Sequence, residues 1–451
     1  MEKKKEKLNN PSTSLRISAK PRKVAIAMSG GVDSSVAAKI LKDQGYDVVG
    51  FMMKLWSDPD SCGIRENACC DEQGVLDAKK VADQLGIPFY LVNAKEIFKK
   101  EVTDYFLNEY KNLRTPNPCV VCNEKIKFGW LLDFAKKTGC DYLATGHYAR
   151  IAEGNSGISN TKFLISNQFQ NSNDLNIKNS DLNKNLKLEN KNLHLLCGAD
   201  VNKDQTYFLY SLTQEQLSQI MFPVGQYTKE EVRAMAKKWD LPVFEKRESQ
   251  EICFIHDKDF REFLKRNIPA KYFTPGDIVD KKANVLGKHE GLINYTIGQR
   301  KGIEQARGLQ ISKSKLQISN KIQITKSKIS KQIGDEQFAI GNKQPLYVVG
   351  FDAEKNQLIV GEDAEVYEDK MRVEVTSWIN NINESQASNI KNLKVKIRYR
   401  HPAVKCKIKS SGEQLEVIFD EPQRAITPGQ SAVFYDGDQV LGGGTIQQFR
   451  Q

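Results

Sequence analysis

The 451-residue sequence has no long hydrophobic run. Nothing in it approaches the roughly 20 consecutive apolar residues that a membrane-spanning helix needs. The lysines near the N-terminus are not followed by the apolar core of a secretion signal, so we expect a cytoplasmic protein without membrane contact. The nine cysteines are an odd number in a long chain without such a signal. They indicate thiol chemistry in a reducing compartment rather than a disulfide framework.

The sequence also lacks two common nucleotide-binding motifs, the Gly-Lys-Ser/Thr ending of the Walker loop and the three-glycine dinucleotide fingerprint. Positions 23–35 instead read Lys-Val-Ala-Ile-Ala-Met-Ser-Gly-Gly-Val-Asp-Ser-Ser, an apolar strand that leads into a turn and then a helix. Glycines allow the backbone to approach an anion closely, while helix N–H groups and serine hydroxyls donate to it. The pattern therefore predicts a cradle for pyrophosphate.

Length and charge set limits on size and partners. A chain of 451 residues is expected to form two or three domains with room for buried cores. Its formal net charge of +11 suits an anionic partner such as nucleic acid. Much of this excess comes from lysine-rich segments at 1–23 and after Ala306, so charge alone identifies no partner.

The first half of the chain alternates apolar strands with helical stretches. Strands are predicted at 24–28, 48–53, 89–92 and 142–145. This alternation predicts an α/β doubly wound parallel sheet, whose ligand would lie beyond the carboxyl ends of the strands. Helices are also predicted at 213–220 and at 228–239, the second with Thr228 as N-cap and Glu231 as its capping-box partner.

The second half has a different pattern. From about residue 272 onward, short alternating strands such as 373–377, 394–399 and 431–435 are separated by Gly, Pro and Asp, which predicts an all-β barrel or sandwich. The predicted domains are a disordered basic tail at 1–22, a catalytic nucleotide-binding domain at 23–254, a small central domain at 255–345 and a C-terminal β-barrel at 346–451. Low-complexity composition marks surface insertions at 155–192 and 305–338, which either are solvated and idle or grip RNA.

The loop at 114–122 carries two cysteines, Cys119 and Cys122, after two prolines and before a basic helix. A nearby helix N-terminus and lysines raise the thiolate fraction of a cysteine, so both are predicted to be reactive. Their C-x-x-C spacing alone also fits half of a zinc site, a redox pair or one leg of an iron–sulfur cluster. No second C-x-x-C follows, although the cysteines at 69–70 could supply zinc ligands. Cys253 is either a third reactive thiol or an ordinary buried cysteine.

These motifs occur together in an order that resembles one known family. They are Ser29-Gly-Gly-Val-Asp-Ser34, Arg114-Thr-Pro-Asn-Pro118, Cys122-Asn-Glu-Lys-Ile-Lys-Phe128, Ala144-Thr-Gly-His-Tyr-Ala-Arg150, Lys203-Asp-Gln-Thr-Tyr-Phe-Leu209, Ser249-Gln-Glu-Ile-Cys-Phe-Ile255, Tyr295-Thr-Ile-Gly-Gln-Arg-Lys-Gly302, Pro422-Gln-Arg-Ala-Ile-Thr-Pro-Gly-Gln-Ser-Ala-Val-Phe-Tyr-Asp436 and Gly442-Gly-Gly-Thr-Ile446. The set resembles the tRNA-specific 2-thiouridylases, members of the PP-loop ATP pyrophosphatase superfamily. Only the N-terminal tail and the insertions fall outside it.

The resemblance implies a fold, a reaction and a set of reactants. The implied fold is a PP-loop α/β domain, a small central domain and a C-terminal β-barrel. The implied reaction is ATP-dependent replacement of the C2 oxygen by sulfur on the wobble uridine of certain tRNAs. The oxygen is first adenylated, with pyrophosphate held by the loop and Mg²⁺ offsetting charge. The implied partners are the anticodon arm of tRNA and a sulfur-relay protein or cysteine desulfurase, and we expect a monomer.

Residue roles follow from the same resemblance. It implies ATP binding at Ala27, Met28, Ser29, Gly30, Gly31, Val32, Asp33, Ser34, Ser35, Met53, Gly146 and His147. Asp33 either ligates magnesium or only caps the phosphate loop, and His147 either contacts nucleotide or substrate or is only a hydrogen-bonded loop residue. It implies tRNA contacts at Asn117, Lys125, Lys127, Lys203, Asp204, Gln205, Arg398 and Tyr399. Cys253 is expected to accept a persulfide and deliver its sulfur, while Cys122 either assists release of hydrosulfide or closes a disulfide with Cys253.

Cys119 departs from the family pattern, because many members carry aspartate at this position. The acid proposed there as a general acid/base or metal-site contributor is therefore missing. The extra thiol suggests an alternative in which Cys119, Cys122 and Cys253 ligate a [4Fe–4S] cluster whose fourth iron holds sulfide. The sequence leaves cluster chemistry and persulfide–disulfide chemistry both open.

Two other classes of function compete with tRNA thiolation. An ATP pyrophosphatase of the amidotransferase or ligase type, acting on a small molecule, would turn over ATP without RNA. A non-catalytic RNA-binding protein with a vestigial phosphate loop would not bind ATP. The intact Ser29, Asp33, Ser34, Cys122 and Cys253 argue against the non-catalytic protein.

Overall fold

The structure is a computed structural model, which describes residues 21–58, 72–154, 162–163, 192–247, 252–255, 260–303, 345–379, 384–411 and 414–448. The predicted tail at 1–22 and the predicted insertions at 155–192 and 305–338 lie outside the described residues, apart from 21–22, 162–163 and 192. The alternative zinc ligands at 69–70 lie outside them as well. Within the described ranges, no helix is long and apolar enough to cross a membrane.

Eighteen strands and ten α-helices are described. The strands are β1 (Lys23–Ala27), β2 (Asp47–Lys54), β3 (Phe89–Asn93), β4 (Tyr142–Ala144), β5 (Ala149–Glu153), β6 (Lys162–Phe163), β7 (Leu193–Cys197), β8 (Ile220–Met221), β9 (Gly276–Val279), β10 (Val285–His289), β11 (Tyr347–Asp352), β12 (Gln357–Gly361), β13 (Tyr367–Trp378), β14 (Leu393–Lys396), β15 (Val404–Ser411), β16 (Gln414–Arg424), β17 (Ser431–Asp436) and β18 (Gln439–Gln447). The helices are α1 (Val32–Asp43), α2 (Glu72–Leu85), α3 (Lys95–Phe98), α4 (Asp104–Lys111), α5 (Pro118–Val121), α6 (Leu132–Lys137), α7 (Gln214–Leu217), α8 (Lys229–Lys238), α9 (Phe260–Asn267) and α10 (Glu384–Ser388).

The N-terminal part is built on a five-stranded parallel sheet of order β3-β2-β1-β4-β8. Its central strand β1 is apolar on both faces, and Val24, Ala25 and Ile26 have no exposed surface, as expected when helices cover both sides of a parallel sheet. The prediction of a doubly wound α/β sheet is confirmed, and so are its four predicted strands.

One helix prediction was wrong in part. The helix predicted at 213–220 is only the short α7, because Ile220 and Met221 extend and pair in parallel with Leu143 and Ala144 of β4. An open edge of the parallel sheet accepts this strand, and the tertiary pairing overrides a helical pattern that is only two turns long.

The helix predicted at 228–239 is confirmed as α8, including its start. Thr228 Oγ1 accepts a hydrogen bond from Glu231 N at 3.2 Å, and Glu231 Oε2 accepts one from Thr228 N at 2.7 Å. These two bonds form the capping box expected from the sequence, and they satisfy two N–H groups that the helix itself cannot pair.

Replacing Thr228 by alanine is expected to lower the free energy of unfolding by about 1 kcal/mol, since the cap at Glu231 N is lost. Urea denaturation followed by circular dichroism measures the change. Glu231→Gln is the matched control, because glutamine still accepts from Thr228 N and should cost less. Equal unfolding midpoints for Thr228→Ala and the parent would contradict the assignment.

The C-terminal part is all-β, as predicted. Strands β13, β16, β15, β14, β17 and β18 close into a barrel, because β13 pairs with both β16 and β18. The strand predicted at 394–399 ends earlier, at Lys396, since the chain turns there and His401 N donates to Arg398 O. A separate four-stranded sheet of order β10-β9-β12-β11 precedes the barrel. Strands β11 and β12, which fall in the predicted barrel domain, therefore pair with strands of the predicted central domain. The predicted domain limits stay a prediction.

The barrel is joined to the N-terminal part by hydrogen bonds and by packing. Strand β18 pairs with β7, which in turn pairs with β5, so one sheet continues from the barrel into the segment between β4 and β8 of the parallel sheet. One hydrophobic core contains Leu143 and Tyr207 from the N-terminal part together with Val433 and Val440 from the barrel. This shared core fixes how the loops of the two parts face each other.

Candidate active site

The predicted phosphate loop connects β1 to α1 at the carboxyl end of the sheet. Gly30 has φ +66°, and a Cβ built on it would lie 2.3 Å from Gly74 O, so this position requires glycine. Gly31 is the N-cap of α1, and because glycine has no side chain, no side-chain cap covers the first N–H groups of the helix. The N-terminal N–H groups of a twelve-residue helix therefore open toward the loop, the arrangement that binds phosphate.

The three serines of the loop have different surroundings. Ser29 is exposed, and its N donates to Ser34 Oγ at 3.3 Å. Ser34 Oγ also donates to Gly31 O at 3.2 Å. Ser35 is fully buried, and its hydroxyl donates to Gly31 O at 2.8 Å. Ser34 is buried as well, but its hydroxyl lies 3.3 Å from that of the exposed Ser29, whereas Ser35 supports the first turn of α1.

The other predicted ATP-binding residues meet this loop at the same edge of the sheet. Met28 N donates to Phe51 O of β2 at 2.8 Å, and Met53 lies near the end of the same strand. A Cβ on Gly146, which follows β4, would lie 2.7 Å from Ser34 N, so only glycine lets the two loops touch. The structure thus brings together the ends of β1, β2 and β4, as expected for a ligand site of a parallel sheet.

His147 is buried beside this edge and is uncharged at neutral pH. Burial, reinforced by the Lys127 ammonium, holds the pKa of its imidazole well below the ordinary value. Nε2 lies 3.3 Å from Lys127 Nζ, and Nδ1 lies 2.7 Å from Thr145 Oγ1. Because an ammonium only donates, Nε2 accepts and Nδ1 carries the proton. Lys127 is thereby held beside the nucleotide edge.

Asp33 lies in the first turn of α1, where it was predicted to ligate magnesium. Its carboxylate accepts two hydrogen bonds from Lys229 Nζ, at 2.7 and 2.8 Å, and one from Tyr148 OH at 2.7 Å. A cation at this carboxylate would compete with the lysine ammonium. The magnesium role stays a prediction. Tyr148 belongs to a motif found in the sequence but was given no role there, and Lys229 was not identified from the sequence.

The predicted reactive thiols lie on and beside the helical segment that follows the proline-rich loop. Cys119 is exposed on α5, whereas Cys122 is only 8% exposed and begins a π-helix, Cys122–Leu131. Cys253 is half-buried and packs against the hydrophobic cluster that contains Cys122, together with Ile126 and Phe254. The structure therefore places Cys122 and Cys253, 131 positions apart in sequence by their numbers, at one cluster.

The three-thiol cluster alternative is not supported by this arrangement. Cys119, Cys122 and Cys253 all belong to the described residues, yet no group of three or more His, Cys, Asp or Glu in that part of the chain could hold a metal ion. We derive no step through an iron–sulfur cluster.

The loop before the thiols is held by the barrel. Thr115 N donates to Pro428 O at 2.9 Å, while Gln430 Nε2 donates to Thr115 O at 3.0 Å and to Pro116 O at 3.1 Å. A Cβ on Gly429, where φ is +89°, would lie 2.8 Å from Thr115 O. The C-terminal part thus holds the loop that precedes the predicted reactive thiols, a role of Gln430 that no local sequence signal indicated.

The predicted tRNA contacts near the thiols surround a cavity of about 800 Å³. It lies between the helices of the N-terminal part and the barrel, and its lining includes Asn117, Lys125, Lys99, Lys111, Gly429 and Ser431. Asn117 is 8% exposed, and Lys125 is exposed and paired with Glu124 at 2.6 Å. The lining carries charges of both signs, because Lys99 pairs with Asp104 as Lys125 does with Glu124, and it reaches Val120 and Val121, which lie between Cys119 and Cys122 in the sequence.

Two more of the predicted tRNA contacts lie at the junction with the barrel. Asp204 is buried and accepts from Gly198 N at 3.1 Å and from Thr206 Oγ1 at 2.9 Å. Gln205 Oε1 accepts from Tyr148 N at 2.9 Å. These bonds give both side chains a structural role at this junction, whatever they contact in RNA.

Three further predicted tRNA residues are partly exposed. Lys203 is half-buried. Arg398 donates to Arg424 O at 3.3 Å, and Tyr399 packs on Phe208 with ring centroids 4.5 Å apart. The tRNA roles of these residues stay predictions.

Protein-family models match most of the chain. Residues 22–257 match the tRNA methyl transferase HUP domain, 261–317 the tRNA methyl transferase PRC-barrel domain and 368–446 the aminomethyltransferase beta-barrel domain. These matches agree with the predicted order of a nucleotide-binding α/β domain, a central domain and a C-terminal barrel.

Curated relatives cover almost the same span. The chain is 42% identical over 430 residues to the tRNA-specific 2-thiouridylase MnmA of Acetivibrio thermocellus, covering 94% of this chain and 99% of the relative. It is 42% identical over 428 residues to tRNA-specific 2-thiouridylase MnmA 1 of Caldanaerobacter subterraneus, covering 94% and 98%. A relative of the same name in Geobacter metallireducens is 40% identical over 431 residues, covering 94% and 96%.

Proposed function

The chain belongs to the tRNA-specific 2-thiouridylase family, and from that membership we propose how its residues carry out the reaction. The activity is ATP-dependent 2-thiolation of uridine in tRNA, so the protein is a tRNA sulfurtransferase. Similarity over 94% of the chain favours this function over ATP turnover on a small molecule. The observation that carries the assignment is that the matched region contains both the phosphate loop and the two thiols of the shared hydrophobic cluster.

The phosphate loop is the part of the site that would activate the uridine. Adenylation makes the C2 oxygen a leaving group as AMP and releases pyrophosphate. The N-terminus of α1, with the hydroxyls of Ser29 and Ser34, would hold the phosphates. Mg²⁺, carried with ATP, would neutralise phosphate charge. Lys127, which His147 holds at 3.3 Å, would supply a further positive charge at this edge.

Cys253 and Cys122 are the residues that would transfer the sulfur. The Cys253 thiolate attacks the sulfane sulfur of a donor persulfide, so a Cys253 persulfide forms and the donor leaves as a thiolate. Its terminal sulfur then attacks C2 of the adenylated uridine and displaces AMP. The Cys122 thiolate attacks Cys253 Sγ and breaks the bond between Cys253 Sγ and the sulfur now attached to C2. That sulfur stays on the uridine, and a Cys122–Cys253 disulfide remains. An external dithiol, oxidised to its own disulfide, restores both thiols.

The partners follow from this chemistry. We propose that the substrate is the wobble uridine of the anticodon arm, gripped at the cavity bordered by Asn117 and Lys125. The base must leave the stack for its C2 atom to reach both the phosphate loop and the thiols. The sulfur donor would be a relay protein or a cysteine desulfurase. A monomer acting in the cytoplasm fits these partners.

Nucleoside mass spectrometry of unmodified tRNA tests the function. The tRNA is incubated with anaerobically purified protein, ATP, Mg²⁺ and a persulfide donor, and 2-thiouridine with AMP is the expected result. Cys119→Asp tests the departure at position 119, and we expect it to retain activity because no step depends on that thiol. ATP cleavage to AMP without 2-thiouridine, with or without tRNA, would instead favour a small-molecule substrate.

Gln430→Glu is expected to lower the rate of tRNA thiolation roughly ten-fold with little change in ATP affinity, because misplacing reacting groups slows the chemical step. Glutamate keeps the size of the side chain but cannot donate to Thr115 O and Pro116 O, which the amide reaches at 3.0 and 3.1 Å. Single-turnover thiolation measures the effect.

Gln439→Glu is the matched control, since it makes the same change at the start of the neighbouring strand β18. It should leave the rate unchanged. If Gln430→Glu thiolates tRNA at the parental rate, the barrel does not position the catalytic loop through this side chain.

A further inference from the structure

A lysine of helix α8 is buried against the phosphate loop. Lys229 is 7% exposed, and its Nζ bridges both oxygens of the Asp33 carboxylate at 2.7 and 2.8 Å. Its ammonium also lies 5.8 Å from the centre of the Tyr148 ring, whose hydroxyl donates to the same carboxylate. Ordinary surface pairs such as Lys39–Asp43 are more exposed, at 25% and 36% of the side chains. The Lys229–Asp33 pair is thus unusually buried for a lysine.

The backbone fixes where this lysine lies. Lys229 is the first residue of α8, and its N donates to Asp200 Oδ2 at 3.0 Å. Helix α8 packs on α1 through one hydrophobic cluster that includes Val36 of α1 and Val232 of α8. The ammonium therefore reaches Asp33 from a rigid support, not from a flexible surface chain.

The position of Asp33 creates an electrostatic conflict. Its carboxylate lies in the first turn of the helix whose N-terminus is expected to receive the phosphates of ATP. An unpaired carboxylate there would repel a ligand that carries several negative charges, and in a partly buried site this repulsion is weakly screened. A buried cation bonded to both carboxylate oxygens removes most of that repulsion.

We propose that Lys229 is a positioning residue of the ATP site, which holds the Asp33 carboxylate and offsets its charge so that the triphosphate can approach the loop. The proposal rests on the function proposed above, because it takes ATP as the ligand of the loop. Lys229 acts through Asp33 and does not itself contact the nucleotide. Its effect therefore depends on the presence of the carboxylate, which gives a direct test.

Equilibrium binding of ATP to the full chain, without tRNA, tests this dependence. Lys229→Met is expected to raise the dissociation constant for ATP roughly 30-fold, since Asp33 is left charged beside the phosphates. Adding Asp33→Asn removes that charge, so the double variant should regain part of the lost affinity and bind ATP more tightly than Lys229→Met alone. Lys229→Arg, which keeps the charge, should also bind within about three-fold.

The matched control is Lys39→Met, which breaks an exposed pair on the same helix α1 and should leave ATP affinity unchanged. If the double variant binds ATP as weakly as Lys229→Met, or if Lys229→Met binds ATP like the parent, the proposal is wrong. Should Lys229→Met not fold, the double variant still decides, because it buries no unpaired charge.

The outcomes separate this proposal from the proposed function. Thiolation of tRNA is measured on the same preparations by nucleoside mass spectrometry. If the parent binds ATP but forms no 2-thiouridine, the proposed function is contradicted. The ATP affinities of the variants, compared with that of the parent, still test the role of Lys229. A parent that thiolates tRNA, with single and double variants equally weak for ATP, contradicts only the role of Lys229.

Discussion

Replacing Cys253 by alanine is expected to abolish formation of 2-thiouridine, with a loss of roughly a thousand-fold or more, because this thiol is proposed to form the covalent sulfur intermediate. Binding of ATP should be unchanged, since Cys253 lies in the cluster with Cys122 and Phe254 and not at the phosphate loop. Thiolation is followed by nucleoside mass spectrometry, and ATP binding by equilibrium titration.

A second half-buried thiol provides the matched control. Burial and the nearby Asp204 carboxylate raise the pKa of Cys197 to about 12, so it is a neutral thiol at physiological pH. Cys197→Ala should therefore thiolate tRNA like the parent. Wild-type levels of 2-thiouridine from Cys253→Ala would overturn the assignment of the sulfur carrier, and loss from both variants would indicate damage to the fold.

The second large effect is expected from Gly30→Ala in the phosphate loop, which should weaken ATP binding roughly a hundred-fold. The backbone has φ +66°, and the added methyl group would lie 2.3 Å from Gly74 O, so the loop must shift to make room. A shifted loop no longer aims its N–H groups at the phosphates. Equilibrium titration with ATP gives the affinity, and 2-thiouridine formation should fall with it.

Gly45→Ala is the matched control, which distinguishes a displaced phosphate loop from simple backbone strain as the cause of weaker ATP binding. Gly45 follows α1 and has φ +83°, but none of the described atoms lies within 4 Å of a Cβ built there. It should therefore lower the free energy of unfolding by about 1 kcal/mol and leave ATP affinity unchanged. If Gly30→Ala and Gly45→Ala weaken ATP binding equally, close packing of Gly30 against Gly74 is not what shapes the cradle.

Elements stabilised by local interactions could be predicted closely. The capping box of Thr228 and Glu231 joins residues three apart, so the sequence alone indicated where α8 begins. The helix expected at 213–220 was shortened instead, because Ile220 and Met221 gain partners in β4 that lie far away in the sequence. A weak local preference gave way to a long-range strand pairing.

The family, the candidate phosphate loop and the candidate thiols could be recognised from the sequence alone, because their motifs are contiguous residues whose local geometry follows from glycine, proline and helix N-termini. What these motifs contact depends on the tertiary structure. Lys229 reaches Asp33 across 196 positions, and Gln430 reaches Thr115 across 315. Such pairs form because α1 packs against α8, and the N-terminal part against the barrel, through shared hydrophobic cores. A local sequence pattern does not indicate which distant side chain this packing brings next to a given charge or carbonyl.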